Sequence, residues 1–318
     1  MEKKEEAELQ NASNMTVSRR GFLKAGAGLG AMAATGSALG PRTDAQVTAA
    51  AEKPFPLKGY SLPLSPKGQS SIVDAPPWHY GGDILVLPFK ADEKKAAAFI
   101  PPPLEMGPNP GAGLIGFPEW VSVSETRPDF AFLNPERANY RECFVALACQ
   151  YKGEPGAFIS YIWVDNDFSL VRGFIQGYPK KLGRIYVTRL HDLNLKVGGR
   201  QVGAKVKGIC DANAQRIIEG SMTFTRPCQP SELPPPGKTY LMRHFPSIED
   251  PTRPAVHELI VLLSDVKVKD VWAGDGQIKF FESPFEEVAD LGPVEPQGAF
   301  FFSIGMTVSG GKVIHKYV

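Results

Sequence analysis

What most narrows the folds open to this chain is a recurring beat of short apolar runs, each cut off by glycine or proline. The first run is Asp83–Phe89, followed by a short helix, Glu93–Ile100, that Asp92 caps and Pro101-Pro102-Pro103 stops. Strand-like runs follow at Leu114–Val123 and Tyr140–Tyr151, and a turn at Gly153-Glu154-Pro155-Gly156 leads into Ala157–Val164. Asp165-Asn166-Asp167 reads as another turn, with a further extended apolar segment after it. Later runs span Arg184–Asn194, Leu195–Ile209 (folded at Val197-Gly198-Gly199-Arg200), Ile217–Thr225, Leu259–Trp272 and Gln277–Phe281. Ala299–Val308 and Lys312–Val318 read as a final hairpin over Ser309-Gly310-Gly311. About ten strands, Gly/Pro turns and only short helical pieces predict a mainly β chain, a single β-barrel-like domain over residues 75–318.

Composition limits the partners. The chain is 43% hydrophobic and 22% charged with a formal net charge of +1, which gives no reason to expect nucleic acid. Four cysteines are too few for a disulfide scaffold, and the five histidines lack metal-ligand spacing, so no metal is expected. Near the start, Ser18-Arg19-Arg20-Gly21-Phe22-Leu23-Lys24 precedes an uncharged, Gly/Ala-rich stretch, Ala25–Gly40. This resembles the bacterial twin-arginine export signal, and the stretch is shorter than the roughly 20 apolar residues of a membrane span. The resemblance implies a signal peptide over residues 1–50, the twin-arginine export machinery as a partner, and a periplasmic or secreted mature protein. Residues 51–74 are expected to form a linker or extended arm.

The chemistry centres on Gly177-Tyr178-Pro179-Lys180-Lys181-Leu182-Gly183. A lysine pair in a polar run is a solvated surface. Here the neighbours are mostly apolar, and burial disfavours the ammonium form, leaving a neutral amine that is a nucleophile. Tyr-Pro-Lys-Lys-Leu-Gly resembles the acetoacetate decarboxylase family. So do Tyr140-Arg141-Glu142 through Tyr161-Ile162-Trp163-Val164-Asp165-Asn166, and Val271-Trp272-Ala273-Gly274 with Phe280-Phe281. The resemblance implies a β-barrel, a homo-oligomer, no bound cofactor and a small keto acid as substrate.

Carried over from that family, Lys180 is the Schiff-base nucleophile and Lys181 the charged neighbour that tunes its pKa. Glu142 falls at the position of a family glutamate suited to proton transfer. Glu119 is the candidate for a second family glutamate, and Gln176, four residues before Lys180, would share a strand face with it and bring an amide into the pocket. Where the decarboxylase carries an arginine in its first strand, this chain has Gly82, with His79 nearby. Decarboxylation of acetoacetate or a related β-keto acid is the first expectation. Aldol condensation with dehydration on the same lysine is the alternative, and a non-catalytic ligand-binding barrel is a third.

Overall fold

Strand β1 (Trp78–Lys90) shows how alternation builds the molecule. Leu85, Leu87 and Phe89 face one side, while Trp78, Tyr80, Ile84 and Val86 face the other, so both sides need cover. The computed structural model describes residues 55–234 and 237–318. After β1 come α1 (Glu93–Ala97), β2 (Glu105–Met106), β3 (Ala112–Ser124), α2 (Phe130–Leu133), β4 (Asn139–Tyr151) and β5 (Glu154–Val164). They are followed by α3 (Asp167–Gln176), β6 (Lys180–Leu182), β7 (Arg184–Val187), β8 (Lys205–Ala212) and β9 (Gln215–Pro227). Then come β10 (Lys238–Pro246), the 27-residue β11 (Pro254–Phe280), β12 (Glu295–Pro296) and β13 (Ala299–Lys316).

The fold is mainly β, as expected. Seven strands form a barrel-like ring in the order β10-β5-β4-β3-β1-β13-β11, and β11 bonds back to β10 to close it. Beyond the ring, the far end of β11 pairs with β9, which continues through β8 to β7 as an outer layer. Trp78, Trp120, Tyr140, Ile162, Leu241 and Ile260 fill the ring. A second core, including Phe117, Val145, Trp163, Ile217 and Phe224, lies between ring and outer layer.

Several local expectations are corrected. Residues 167–176 form a helix rather than a strand: Asn166 caps it by accepting from Phe168 N–H, and Gly177 ends it at φ 93. Of Arg184–Asn194 only the first four residues are strand, and the glycines at 198 and 199 lie in an irregular stretch before β8. The hairpin turns instead at Asn213-Ala214, both with positive φ. Leu259–Trp272 and Gln277–Phe280 are parts of one strand, which stops one residue short of Phe281. Ser309-Gly310-Gly311 makes no turn: β13 runs through it, and the register slips from Leu263↔Gly310 to Ser264↔Val308, leaving Ser309 as a bulge. The spacing of Gly111, Gly113 and Gly116 matches a dinucleotide fingerprint, but these residues lead into strand β3 rather than a helix. Gly113 and Gly116 there make room for Phe89 and Phe144. The paired arginines at 19 and 20 lie outside the described residues.

Candidate active site

The parallel pairing of β6 with β5 decides which lysine faces inward. Lys180 sits opposite Ile162, whose side chain fills the ring, and Lys181 opposite Trp163, which belongs to the outer core. Successive strand residues face opposite sides, so the two ammonium groups diverge. Lys180 is 5% exposed. Its Nζ lies 3.0 Å from Glu142 Oε2 and donates to Ser169 Oγ at 2.8 Å. The aromatic faces of Tyr140 and Tyr178 stand 5.3 and 5.4 Å from it. Lys181 is half-exposed on the other side, 2.6 Å from the buried carboxylate of Glu286.

Helix α3 supplies the wall against which Lys180 packs. Its buried face carries Ser169, Arg172, Gly173 and Gln176, the i, i+3, i+4, i+7 spacing of one helical stripe. The lysine stem crosses the helix at Gly173, where a Cβ would lie only 2.4 Å from Lys180 Cδ. Arg172 Nη1 donates to Ser122 Oγ at 2.8 Å and Nη2 to the Tyr140 hydroxyl at 3.4 Å. Its guanidinium lies 4.7 Å from the Tyr80 aromatic centroid, and among the described residues its Nε has no hydrogen-bond partner. Burial works against the charge of Arg172, but Tyr80, Tyr140 and Glu142 hold its pKa up.

Burial pushes the Lys180 pKa below its ordinary value; Glu142 opposes this and Arg172 reinforces it. Burial also raises the phenol pKa of Tyr80, Tyr140 and Tyr178, which therefore stay neutral. The arrangement is an amine biased toward its neutral form, a carboxylate within proton-transfer reach, and a buried guanidinium whose direct partners are neutral hydroxyls.

Residues 61–318 match the acetoacetate decarboxylase (ADC) family. The chain belongs to that family. It is similar to the acetoacetate decarboxylases of Clostridium botulinum (23% identical over 233 residues, 72% of this chain and 85% of that protein) and Streptomyces nogalater (24% over 268 residues, 79% and 97%). Among solved structures it is similar to the enduracididine biosynthesis enzyme MppR (30% identical, TM-score 0.77, covering 85% of this chain and 99% of that one). It is also similar to an acetoacetate decarboxylase-like enzyme from Sphingomonas wittichii (32%, 0.77, 81% and 100%). MppR has been seen with pyruvate and with the condensation product of pyruvate and imidazole 4-carboxaldehyde. These likenesses support a Schiff-base lyase of the ADC family.

Against the ADC pattern, Glu142 and Gln176 are brought to Lys180's side of the ring, Gln176 from the last turn of a helix rather than from a strand. Lys181 is not: the second cation acting on Lys180 is Arg172. Glu119 is not either, because it shares the face of β3 that carries Phe117 and pairs outward with Arg141 Nε at 3.2 Å. Ser122 is the polar residue that β3 turns toward Arg172. At Gly82 a Cβ would lie 2.0 Å from the Glu119 carbonyl oxygen, so no arginine fits there without moving β3. His79 is engaged outward with Thr307 and Glu125. Sequence reasoning missed Ser169, Tyr80, Tyr178 and the inward role of Arg172. The signal available was the stripe Ser169-x-x-Arg172-Gly173-x-x-Gln176, legible only once the segment is taken as a helix.

Proposed function

We propose that the protein is a lyase that forms an imine between Lys180 and a small keto acid. The observation that carries this is a buried, pKa-lowered Lys180 with the Glu142 carboxylate 3.0 Å from its nitrogen. Unprotonated Nζ adds to the ketone carbon, water leaves, and the protonated imine draws electrons from the adjacent carbon–carbon or carbon–hydrogen bond. Glu142 takes or returns the proton at the carbon beside the imine. Arg172, buried with an unused Nε and no charged partner in contact among the described residues, suits the substrate carboxylate.

Two fates of the imine are compatible with this site. A β-keto acid loses carbon dioxide, and the enamine left behind is protonated and hydrolysed; the names of the curated relatives favour this fate. An α-keto acid instead forms an enamine that adds to an aldehyde, sheds water and is released as an unsaturated keto acid. Arg172 favours the second fate, because a cation on the carboxylate stabilises it most while it is charged and so opposes its departure as neutral carbon dioxide. Given the paired arginines near the start of the chain, we place this activity outside the cytoplasm.

Borohydride reduction with pyruvate or acetoacetate, followed by mass spectrometry, tests the reading. A single adduct on Lys180, absent in Lys180→Ala, is expected. Carbon dioxide from acetoacetate identifies the first fate and an unsaturated adduct from pyruvate plus an aldehyde the second. No adduct with either acid would leave a binding protein instead.

A further inference from the structure

Away from the lysine, the wall behind Arg172 is thin. A cavity of about 20 Å³ lies there between Arg172, Arg137, Phe130 and residues 72–74. That is room for one water and none for a keto acid. Residues 72–74 end a loop, residues 58–74, whose hydrogen bonds run mostly within itself. Lys58 pairs with Ser65, Ile72 N–H donates to the Leu62 carbonyl, and Ser61 bonds with Ser71 and Val73. Polar ties to the barrel run through Arg137, whose Nη2 donates to the Ile72 carbonyl and, at 3.5 Å, to that of Ser71. Asp74 adds two more: its carbonyl accepts from Trp78 Nε1 at 2.9 Å, and its carboxylate stands 3.9 Å from Arg127 Nη1. Nε and Nη2 of an arginine form the adjacent donor pair that a carboxylate takes side-on. At Arg137 neutral carbonyls hold Nη2, and the buried Nε has no partner among the described residues. A carboxylate would give both donors a charged acceptor, and such bonds are roughly twice as strong as neutral ones. The charged lining of the cavity is Arg137, Arg172 and Asp74, and Arg127 offsets the aspartate, so this mouth draws anions.

Resting on the imine reading, we propose that Arg137 is an entry site where the keto acid first binds. Its carboxylate displaces the Ile72 and Ser71 carbonyls from the guanidinium, and loop 58–74 lifts. The acid then passes on to Arg172, and the loop closes behind it. A ligand shifts such an equilibrium only by binding one state better than the other. Here the open state alone offers both Arg137 donors to a carboxylate. A neutral ketone has no such hold on the loop, so the mouth selects acids before the lysine is reached.

The test places a thiol under the loop. Val73 is 3% exposed, so in the full chain carrying Val73→Cys its alkylation by iodoacetamide, read by peptide mass spectrometry, reports opening. Lactate, a carboxylate without a ketone, should speed this alkylation roughly 10-fold at ten times the concentration of half effect. Lactamide, or chloride at the same ionic strength, should leave it unchanged. The response should survive when Lys180→Ala or Arg172→Met is added, because neither imine formation nor the inner arginine is needed to lift the loop. It should vanish with Arg137→Met, whose thiol is alkylated fast from the start because the latch is gone. No response to lactate, or a response lost with Arg172→Met yet kept with Arg137→Met, would overturn the entry site while borohydride trapping of pyruvate leaves the imine reading intact. No trapping of pyruvate by wild-type protein would remove the imine reading, and the entry role with it.

Discussion

Replacing Gly173 with alanine disturbs the site without touching a polar group. An added Cβ would lie 2.4 Å from Lys180 Cδ, 2.6 Å from Cγ and 3.1 Å from Cε, whereas carbon–carbon contacts are best at about 3.5–4.0 Å. The contacts fall on the middle of the stem, and Nζ is held by Glu142 and Ser169. The amine therefore cannot swing clear, and it must move by roughly 1 Å. A displacement of about 1 Å at a reacting centre is worth roughly 100-fold in rate. Stability responds differently. Alanine is better than glycine in a helix interior by about 1 kcal/mol, and overpacking costs about 1–3 kcal/mol, leaving a loss of about 0–2 kcal/mol. Imine trapping with pyruvate, timed by mass spectrometry, should thus slow roughly 100-fold in Gly173→Ala, while the melting temperature falls only about 2–4 °C per kcal/mol lost. A variant that traps at the wild-type rate would refute the packing argument.

Arg172→Met removes a cation that depresses the Lys180 pKa, so the rising limb of trapping against pH should move up toward the ordinary lysine value of 10.5, with weaker keto acid capture. Glu142→Gln removes the group that opposes the depression, so the limb should move down. Deuterium exchange at the substrate methyl, followed by NMR, should slow by about 100-fold or more. Lys181→Ala should leave the limb where it is, because Lys181 pairs with Glu286. It should cost about 1–3 kcal/mol in urea unfolding, since a buried carboxylate loses its partner, discounted because Lys181 is half-exposed. Arg19-Arg20→Lys-Lys should keep the protein in the cytoplasm on cell fractionation, because the export receptor reads the guanidinium pair.

Strands were legible where apolar residues dominate. Tyr140–Tyr151 and Ala157–Val164 lie within β4 and β5, because burial between two cores demands continuous apolar sequence. The motif around Lys180 was legible too, but its geometry was not. α3 hid because two buried stripes interleave along it: polar Ser169, Arg172 and Gln176 around the lysine, and apolar Phe168, Val171 and Ile175 against the ring core, so the segment reads as one mixed, mostly apolar run. Lys181 and Glu119 were misplaced for a simpler reason. Which side of a strand a residue faces depends on register against a neighbour, Trp163 for Lys181 and Tyr140-Arg141 for the Trp120-Glu119 pair, and spacing along one strand does not reveal it. Ser309-Gly310-Gly311 has the composition of a turn, yet the long partner β11 keeps it in line with Ser309 as a bulge.

β11 belongs to both layers. Its first residues close the ring against β10, and its last ones, Trp272–Phe280, carry β9 and with it the outer sheet. No single cut in the chain separates a ring from a cover, since either piece would take half of this strand and leave the other with an open edge. The two layers therefore form one cooperative unit rather than a catalytic module with a detachable jacket.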